Sequence, residues 1–290
     1  MPPFFMSGGR FLIAGSLMVV WARWRGAPWP SRIQFRSAAI VGVLLLAGGN
    51  GGVTWAEQLV PSGLTSLLVV TVPLWVVLLE WLRPGGRRPL PAVFVGVGLG
   101  LVGLALLIGP GQLGVAVDPL GAAVLLCAAL IWSTGTLYGN KADLPAAPLM
   151  ASGLEMFSGA MALLFAALLT GEVARVDLAG VTPRSAIALL YLIVFGSLIG
   201  FTCYSWLIRN APPAQTATYA YMNPIVAVFL GWAVAGEALT LRMLLGAGVT
   251  VFAVAIITTF RGRRRRLRRR EAVAVQNEGP TPNDEILDSG

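Results

Sequence analysis

Nine apolar runs divide this chain, each near the roughly 20 residues that a helix needs to cross the hydrocarbon core of a bilayer. They cover 4–22, 36–54, 61–82, 91–109, 118–138, 149–170, 185–208, 213–236 and 242–260. The breaks between them are short and carry turn chemistry: Pro28 to Pro30, Pro84-Gly85-Gly86, Pro110-Gly111, Pro145 to Pro148 and Pro212-Pro213. Loops this short force successive helices to run antiparallel and leave no room for a soluble domain. Only 12% of the residues are charged and 56% are hydrophobic, against about 25% charged in an ordinary soluble domain. A water-soluble enzyme is thereby excluded. The fold class is an all-α polytopic membrane protein.

The chain has no histidine, which removes the commonest general base and the commonest metal ligand. Cys127 and Cys203 each fall inside an apolar run, so both read as small core residues rather than as disulfide partners or metal ligands. The net charge of +8 is concentrated, with eight of the 21 basic residues between Arg261 and Arg270. A cluster directly after the last apolar run reads as a cytoplasmic anchor on anionic headgroups, not as a nucleic-acid patch. Beyond it, 271–290 is a polar tail that reads as disordered. With the tail inside, the inner loops hold Arg23, Arg25, Arg32, Arg36, Arg83, Arg87, Arg88, Lys141 and Arg209, and the outer loops hold Arg175, Arg184 and Arg242. This asymmetry supports a cytoplasmic C-terminus in a cytoplasmic (inner) membrane.

The chain also resembles itself. Pro61 and Pro73 match Pro212 and Pro224, Trp55 matches Trp206, and Gly49 matches Gly200, all at an offset of 151. Gly96 and Gly98 match Gly246 and Gly248 at 150, while Ser7-Gly8 matches Ser152-Gly153 at 145, placing Arg10 opposite Glu155. A near-constant offset across four helices reads as an internal repeat. It divides the chain into a first repeat at 1–110, a second five-helix repeat at 111–260 and a tail at 261–290. Run 118–138 has no counterpart, because its partner falls before Met1. Five helices per repeat give the halves opposite orientations, the inverted plan of many secondary transporters.

Three stretches carry a family likeness. Trp55-Ala56-Glu57-Gln58, Val60-Pro61-Ser62-Gly63 and Val72-Pro73-Leu74-Trp75 resemble the third and fourth helices of EamA-type transporters in the drug/metabolite transporter superfamily. Ala220-Tyr221-Met222-Asn223-Pro224, Gly236-Glu237 and Gly246-Ala247-Gly248 are similar to its ninth and tenth helices, and Ile131-Trp132-Ser133-Thr134-Gly135 to the start of its second repeat. The resemblance covers nearly all of 1–260 and implies ten helices, with the first absent here. It also implies cytoplasmic termini and export of small metabolites or drugs.

Ionisable groups within a span are functional candidates, because burying them there is expensive. Glu155 lies about six residues into its run, roughly 9 Å along the helix, and is the proton-coupling candidate. Arg10 reads as a cap for neighbouring helices or a substrate-carboxylate ligand, and Glu80 beside Arg83 as a local ion pair. Candidate substrate-binding residues share helical faces: Asn50 and Thr54 with Trp55 following, Thr71 and Trp75, and Thr216, Tyr219 and Asn223. Pro73 and Pro224 are expected helix breaks that free carbonyls near the membrane midplane. Trp24 and Trp29, flanked by arginines, read as interfacial anchors. Gly48-Gly49-Asn50-Gly51-Gly52 reads as a close-packing surface, since no lysine follows to make a phosphate loop.

The function that fits is a secondary active exporter of small metabolites or drugs working by alternating access. The alternatives are a membrane-embedded transferase, for which no acid/base pair or metal-ligand set is evident, and a channel-like subunit. No cofactor, metal or catalytic residue is expected. The expected partners are a small-molecule substrate and membrane lipids at the Arg-rich tail, with a homodimer as an open option and no nucleic acid. The arginine pattern predicts that a cysteine replacing Asp177 reacts with a membrane-impermeant reagent on intact cells; reaction only after permeabilisation would reverse the orientation.

Overall fold

The computed structural model describes residues 2–84, 88–89, 91–108, 118–177, 182–223, 225–226, 229 and 240–257. Its elements are α1 (Pro3–Trp24), α2 (Arg32–Ala56), α3 (Ser62–Val69), α4 (Val72–Leu82), α5 (Pro91–Ile108), α6 (Pro119–Gly139), α7 (Pro148–Leu169), α8 (Pro183–Asn210), α9 (Pro213–Thr216) and α10 (Leu241–Ile257). Among the described residues, six helices are long and apolar enough to span a membrane, with Leu64–Leu82 counted as one. The run at 213–236 is described only in part, and Glu237 and the Arg-rich tail lie outside the described residues.

Local chemistry starts and stops these helices. Proline occupies the first turn of α1, α6, α7 and α8, where its missing N–H costs no helical bond. Ser31 and Gln34 form a reciprocal capping box on α2, and Asp118 accepts from Gly121 N at 2.8 Å to cap α6. After α1 and α7 the chain reverses through Gly26 (φ 83°) and Gly171 (φ 69°), left-handed conformations that glycine adopts without strain.

Packing relies on backbone approach. Helices α1 and α7 run antiparallel with glycines at the crossing: a Cβ on Gly15 would lie 2.7 Å from Phe157 N, and one on Gly153 would lie 2.9 Å from Val19 Cγ2. Gly42 sits so close to the Glu155 carbonyl that a Cβ would be 1.9 Å from its oxygen. Further along α2, Gly48 meets Ile131, Gly49 meets the Trp132 ring and Gly52 meets Ala128, seating α2 on α6 as well. Helices α5 and α10 form a second antiparallel pair in which Gly96 meets Ile257 and Gly246 meets Leu107.

Several features depart from a row of straight spans. The middles of α2 (Val43–Gly51) and α8 (Leu192–Phe201) are π-helical, wider than an α-helix and rare outside functional regions. The span containing Pro73 breaks at Val70 and Thr71. In the second half the break falls at Ala217 and Thr218, ahead of Pro224, which lies outside the described residues. Both cysteines are exposed, so the expectation that they are core residues fails. They sit on outward faces of α6 and α8, where apolar residues meet lipid as readily as they meet a core.

Gly42→Ala is expected to destabilise the protein by about 1–3 kcal/mol, the range for overpacking a rigid contact. Gly98→Ala is the control, since a Cβ there meets nothing within 4 Å. Thermal unfolding in detergent checks this, with a lowered midpoint for Gly42→Ala alone.

Candidate functional site

Trp132 on α6, Tyr204 on α8 and Tyr219 after α9 form an aromatic cluster. Ring centroids lie 5.3 Å apart for Trp132 and Tyr204, 4.7 Å for Tyr204 and Tyr219, and 6.3 Å for Trp132 and Tyr219. Trp75 and Trp132 each pack against the apolar cluster of Val72, Val76, Ala129 and Ala217. Of the residues predicted to line one cavity, Tyr219 lies against Trp132, and Trp75 shares the apolar cluster that Trp132 packs on. Tyr204 was not among the predicted residues, and Trp132 was noted only within a family-like stretch.

A directed hydrogen-bond chain fixes the cluster. Thr136 Oγ1 donates to the Trp132 carbonyl at 2.9 Å. The Tyr204 hydroxyl therefore donates to Thr136 Oγ1 at 2.6 Å and accepts from Trp132 Nε1 at 2.7 Å. The Trp75 indole nitrogen is buried without a partner. The helix breaks lie beside this group and are patched in the same way in both halves: Thr71 donates to the Leu68 carbonyl at 2.6 Å and Thr218 to the Gln215 carbonyl at 2.7 Å. Ser133 on α6 also reaches the Val72 carbonyl at 3.2 Å.

The other predicted residues are placed elsewhere. Asn50 accepts from Arg10 Nη2 at 3.3 Å, and Thr54 donates to the Asn50 carbonyl at 2.9 Å while Ser7 contacts its hydroxyl at 3.4 Å. These four residues tie α1 to α2, and the Arg10 guanidinium also lies 4.3 Å from the Phe11 ring centroid. Trp55 borders a separate cavity of about 370 Å³ with Phe4, Gly48, Gly52, Val124 and Leu163. Its wall is almost wholly apolar, and it opens where the α2 glycines leave the helix surface bare. Thr216 is buried and donates to the Leu207 carbonyl at 3.3 Å. Asn223 is exposed and does not join the cluster.

Glu155 is buried at 1% exposure. Ser205 and Arg209 on α8 lie towards its carboxyl group, whose Oε2 makes no hydrogen bond. Glu80 lies 3.8 Å from Arg83, a local pair at a helix end. Trp24 and Trp29 are strongly exposed, with Arg23 stacked on the Trp29 ring, as interfacial residues would be. Among the described residues, no group of three or more cysteine, aspartate or glutamate side chains is placed to hold a metal ion.

The EamA-like transporter family matches residues 1–109 and 119–259. The uncharacterized inner membrane transporter YedA of Escherichia coli K12 is 40% identical over 260 residues, spanning 89% of this chain and 82% of that protein. The uncharacterized transporter YvbV of Bacillus subtilis is 25% identical over 89% of this chain and 83% of its own length. One protein of known crystal structure, 19% identical, shares the fold with a TM-score of 0.73 over 89% of each chain.

Tyr204→Phe would leave the buried Trp132 indole N–H unpaired, a loss of about 1–3 kcal/mol. In a double-mutant cycle with Trp132→Phe, stability losses should fall short of additivity. Full additivity would show that the hydroxyl and the indole do not couple.

Proposed function

The chain belongs to the EamA-like transporter family, and on that premise we propose that it is a secondary active transporter exporting small metabolites or drugs across the cytoplasmic membrane by alternating access. The observation that carries this reading is the aromatic cluster of Trp75, Trp132, Tyr204 and Tyr219 beside two interrupted helices. Aromatic faces suit an apolar or cationic solute, and the indole and phenol groups can orient it by hydrogen bonding. The scarcity of charge there disfavours a highly charged substrate.

Inverted repeats would supply the rocking halves. Their support is the symmetry of the glycine contacts. The Gly8–Leu164 contact becomes Gly153–Val19 when each residue is exchanged for its counterpart at an offset of 145. The Gly96–Ile257 contact becomes Gly246–Leu107 at an offset of 150. Two antiparallel helix pairs that each map onto themselves fit a pseudo-two-fold axis between the halves. On this reading Asp177 faces outward and the C-terminus faces the cytoplasm.

Counterflow in proteoliposomes, screened with labelled aromatic and cationic solutes, tests the proposal. A carrier accumulates label transiently against its own gradient, whereas a channel-like subunit or a transferase does not. Removing one aromatic anchor is worth about 1–3 kcal/mol, so Trp75→Ala or Tyr219→Ala should weaken apparent affinity roughly tenfold or more while membrane abundance holds. Unchanged counterflow in the Trp75→Ala/Tyr219→Ala double variant would move the transport route elsewhere.

A further inference from the structure

Four of the seven buried side-chain atoms that lack a hydrogen-bond partner among the described residues lie on facing stretches of α7 and α8. They are Ser152 Oγ, Glu155 Oε2, Ser205 Oγ and Arg209 Nη2. Ser152 and Glu155 are i, i+3 on α7, and Ser205 and Arg209 are i, i+4 on α8, so each pair occupies one face of its helix. Ser152, Glu155 and Ser205 are each at most 1% exposed. Each orphaned group costs about 1–3 kcal/mol unless something satisfies it, which makes the clustering informative.

The equivalent positions in the first half behave differently. At the offsets of 145 and 151, Ser152 corresponds to Ser7, Glu155 to Arg10 and Ser205 to Thr54. There the polar groups meet directly: Ser7 contacts Thr54 at 3.4 Å, and Arg10 finds Asn50 at 3.3 Å. In the second half Phe201 stands where Asn50 would be, and the groups on α7 are left open. The first half pairs these groups directly and leaves one buried donor open, Arg10 Nε. The other retains an acceptor, a donor and two hydroxyls.

Such a set is satisfied by a species that both donates and accepts. Water does this, and a buried water takes two to four polar partners of the kind found here. The guanidinium sets the direction of access. Arg209 Nε donates to the Ser205 carbonyl at 3.4 Å and Nη1 to the Pro145 carbonyl at 3.2 Å, so the arginine spans from α8 to the loop between α6 and α7. Its Nη2 remains for the interior. We infer that Ser152, Glu155, Ser205 and Arg209 form a hydrated proton-exchange site that connects the Glu155 carboxyl group to the aqueous face at the Lys141–Pro148 loop.

In the exchange, a hydronium ion at the loop side gives its proton to Glu155 Oε2, forming one O–H bond and leaving water; the reverse step returns the proton to water. When Glu155 is neutral, the Arg209 charge keeps its two carbonyl acceptors. When Glu155 is ionised, Arg209 is the cation that balances it. The titratable groups facing Glu155 are Arg209 and Tyr204, both from α8. From α2 it meets the Gly42 backbone. Tyr204 belongs to the aromatic cluster, so the site adjoins the proposed transport route. Its use in coupling rests on the transport reading; its chemistry does not.

The test needs no substrate. Purified full-length protein in nanodiscs is treated with dicyclohexylcarbodiimide, which modifies protonated carboxyl groups in apolar surroundings, and modification at Glu155 is read by peptide mass spectrometry. Modification is expected at acid pH, with loss as the pH rises and complete loss in Glu155→Gln. Separately, Ser152→Cys and Ser205→Cys should react with a water-borne methanethiosulfonate. Ser133→Cys should not, since Ser133 is equally buried but hydrogen-bonded to Ala129 and Val72. An unmodified Glu155 in acid, or a Ser152→Cys as inert as Ser133→Cys, overturns the proposal. Positive labelling without counterflow would sink the transport reading and leave the site, and the converse would remove the site and leave the carrier.

Discussion

Close backbone contact between helices is the constraint on which this structure depends. Between helices in lipid there is no hydrophobic drive, because the acyl chains are as apolar as leucine, so association rests on tight van der Waals packing and interhelical hydrogen bonds. Gly42 against the Glu155 backbone, Gly15 against Phe157 and Gly49 against the Trp132 ring supply such contacts. They also determine what can lie nearby. The Gly42 contact holds α2 across α7 at the level of Glu155, and the Gly49 contact seats Trp132 where Tyr204 can reach it. The placement of the polar groups is thus a consequence of where side chains are missing.

The second constraint is that every backbone group at membrane depth needs a partner within the protein. The two broken helices meet it with one device, a threonine that donates to the carbonyl three residues earlier. Ser133 reaches the Val72 carbonyl from a neighbouring helix, binding α6 to the first break. The hydroxyls of Thr71 and Thr218 are thus committed as donors to the backbone, as is that of Thr216, which donates to the Leu207 carbonyl. What remains available to a solute near the breaks is aromatic: ring faces, the Trp75 N–H and the Tyr219 phenol. On the proposed transport reading, this favours apolar and weakly polar recognition.

The spans and the family were legible because hydrophobic length and the proline and glycine spacings are properties of the chain itself. Glu80 with Arg83, and the exposed Trp24 and Trp29, could be read from their positions at span ends. Shared helical faces were less informative. Asn50 and Thr54 do lie on one face, but that face meets Arg10 and Ser7 from α1, a contact between residues about 40 apart in sequence that no single-helix pattern encodes. Tyr219 and Tyr204 meet Trp132 from separate segments, Trp75 shares its apolar cluster, and Tyr204 follows the π-helical stretch of α8. The outward facing of Cys127, Cys203 and Asn223 was also hidden. In an apolar helix every side is compatible with lipid, so hydropathy cannot say which side faces the protein.

The difference between the halves is where a near-symmetric fold acquires direction. Helices α1 and α7 are equal in length, begin alike with proline and cross through matched glycines, yet the eighth residue is Arg10 in one and Glu155 in the other. Arginine is charged under all ordinary conditions. Held by Asn50 and the Phe11 ring, it serves as a fixed strut. A carboxyl group can be charged or neutral, and the surroundings of Glu155 suit either state: hydroxyls that can donate or accept, and a guanidinium with carbonyl partners of its own. Two matched positions thus carry one constant charge and one variable charge on opposite halves of the same bundle. On the proposed transport reading, a change in the Glu155 charge alters the balance at the α7–α8 contact while the Arg10 charge on α1 stays constant, an asymmetry that would bias rocking of one half against the other.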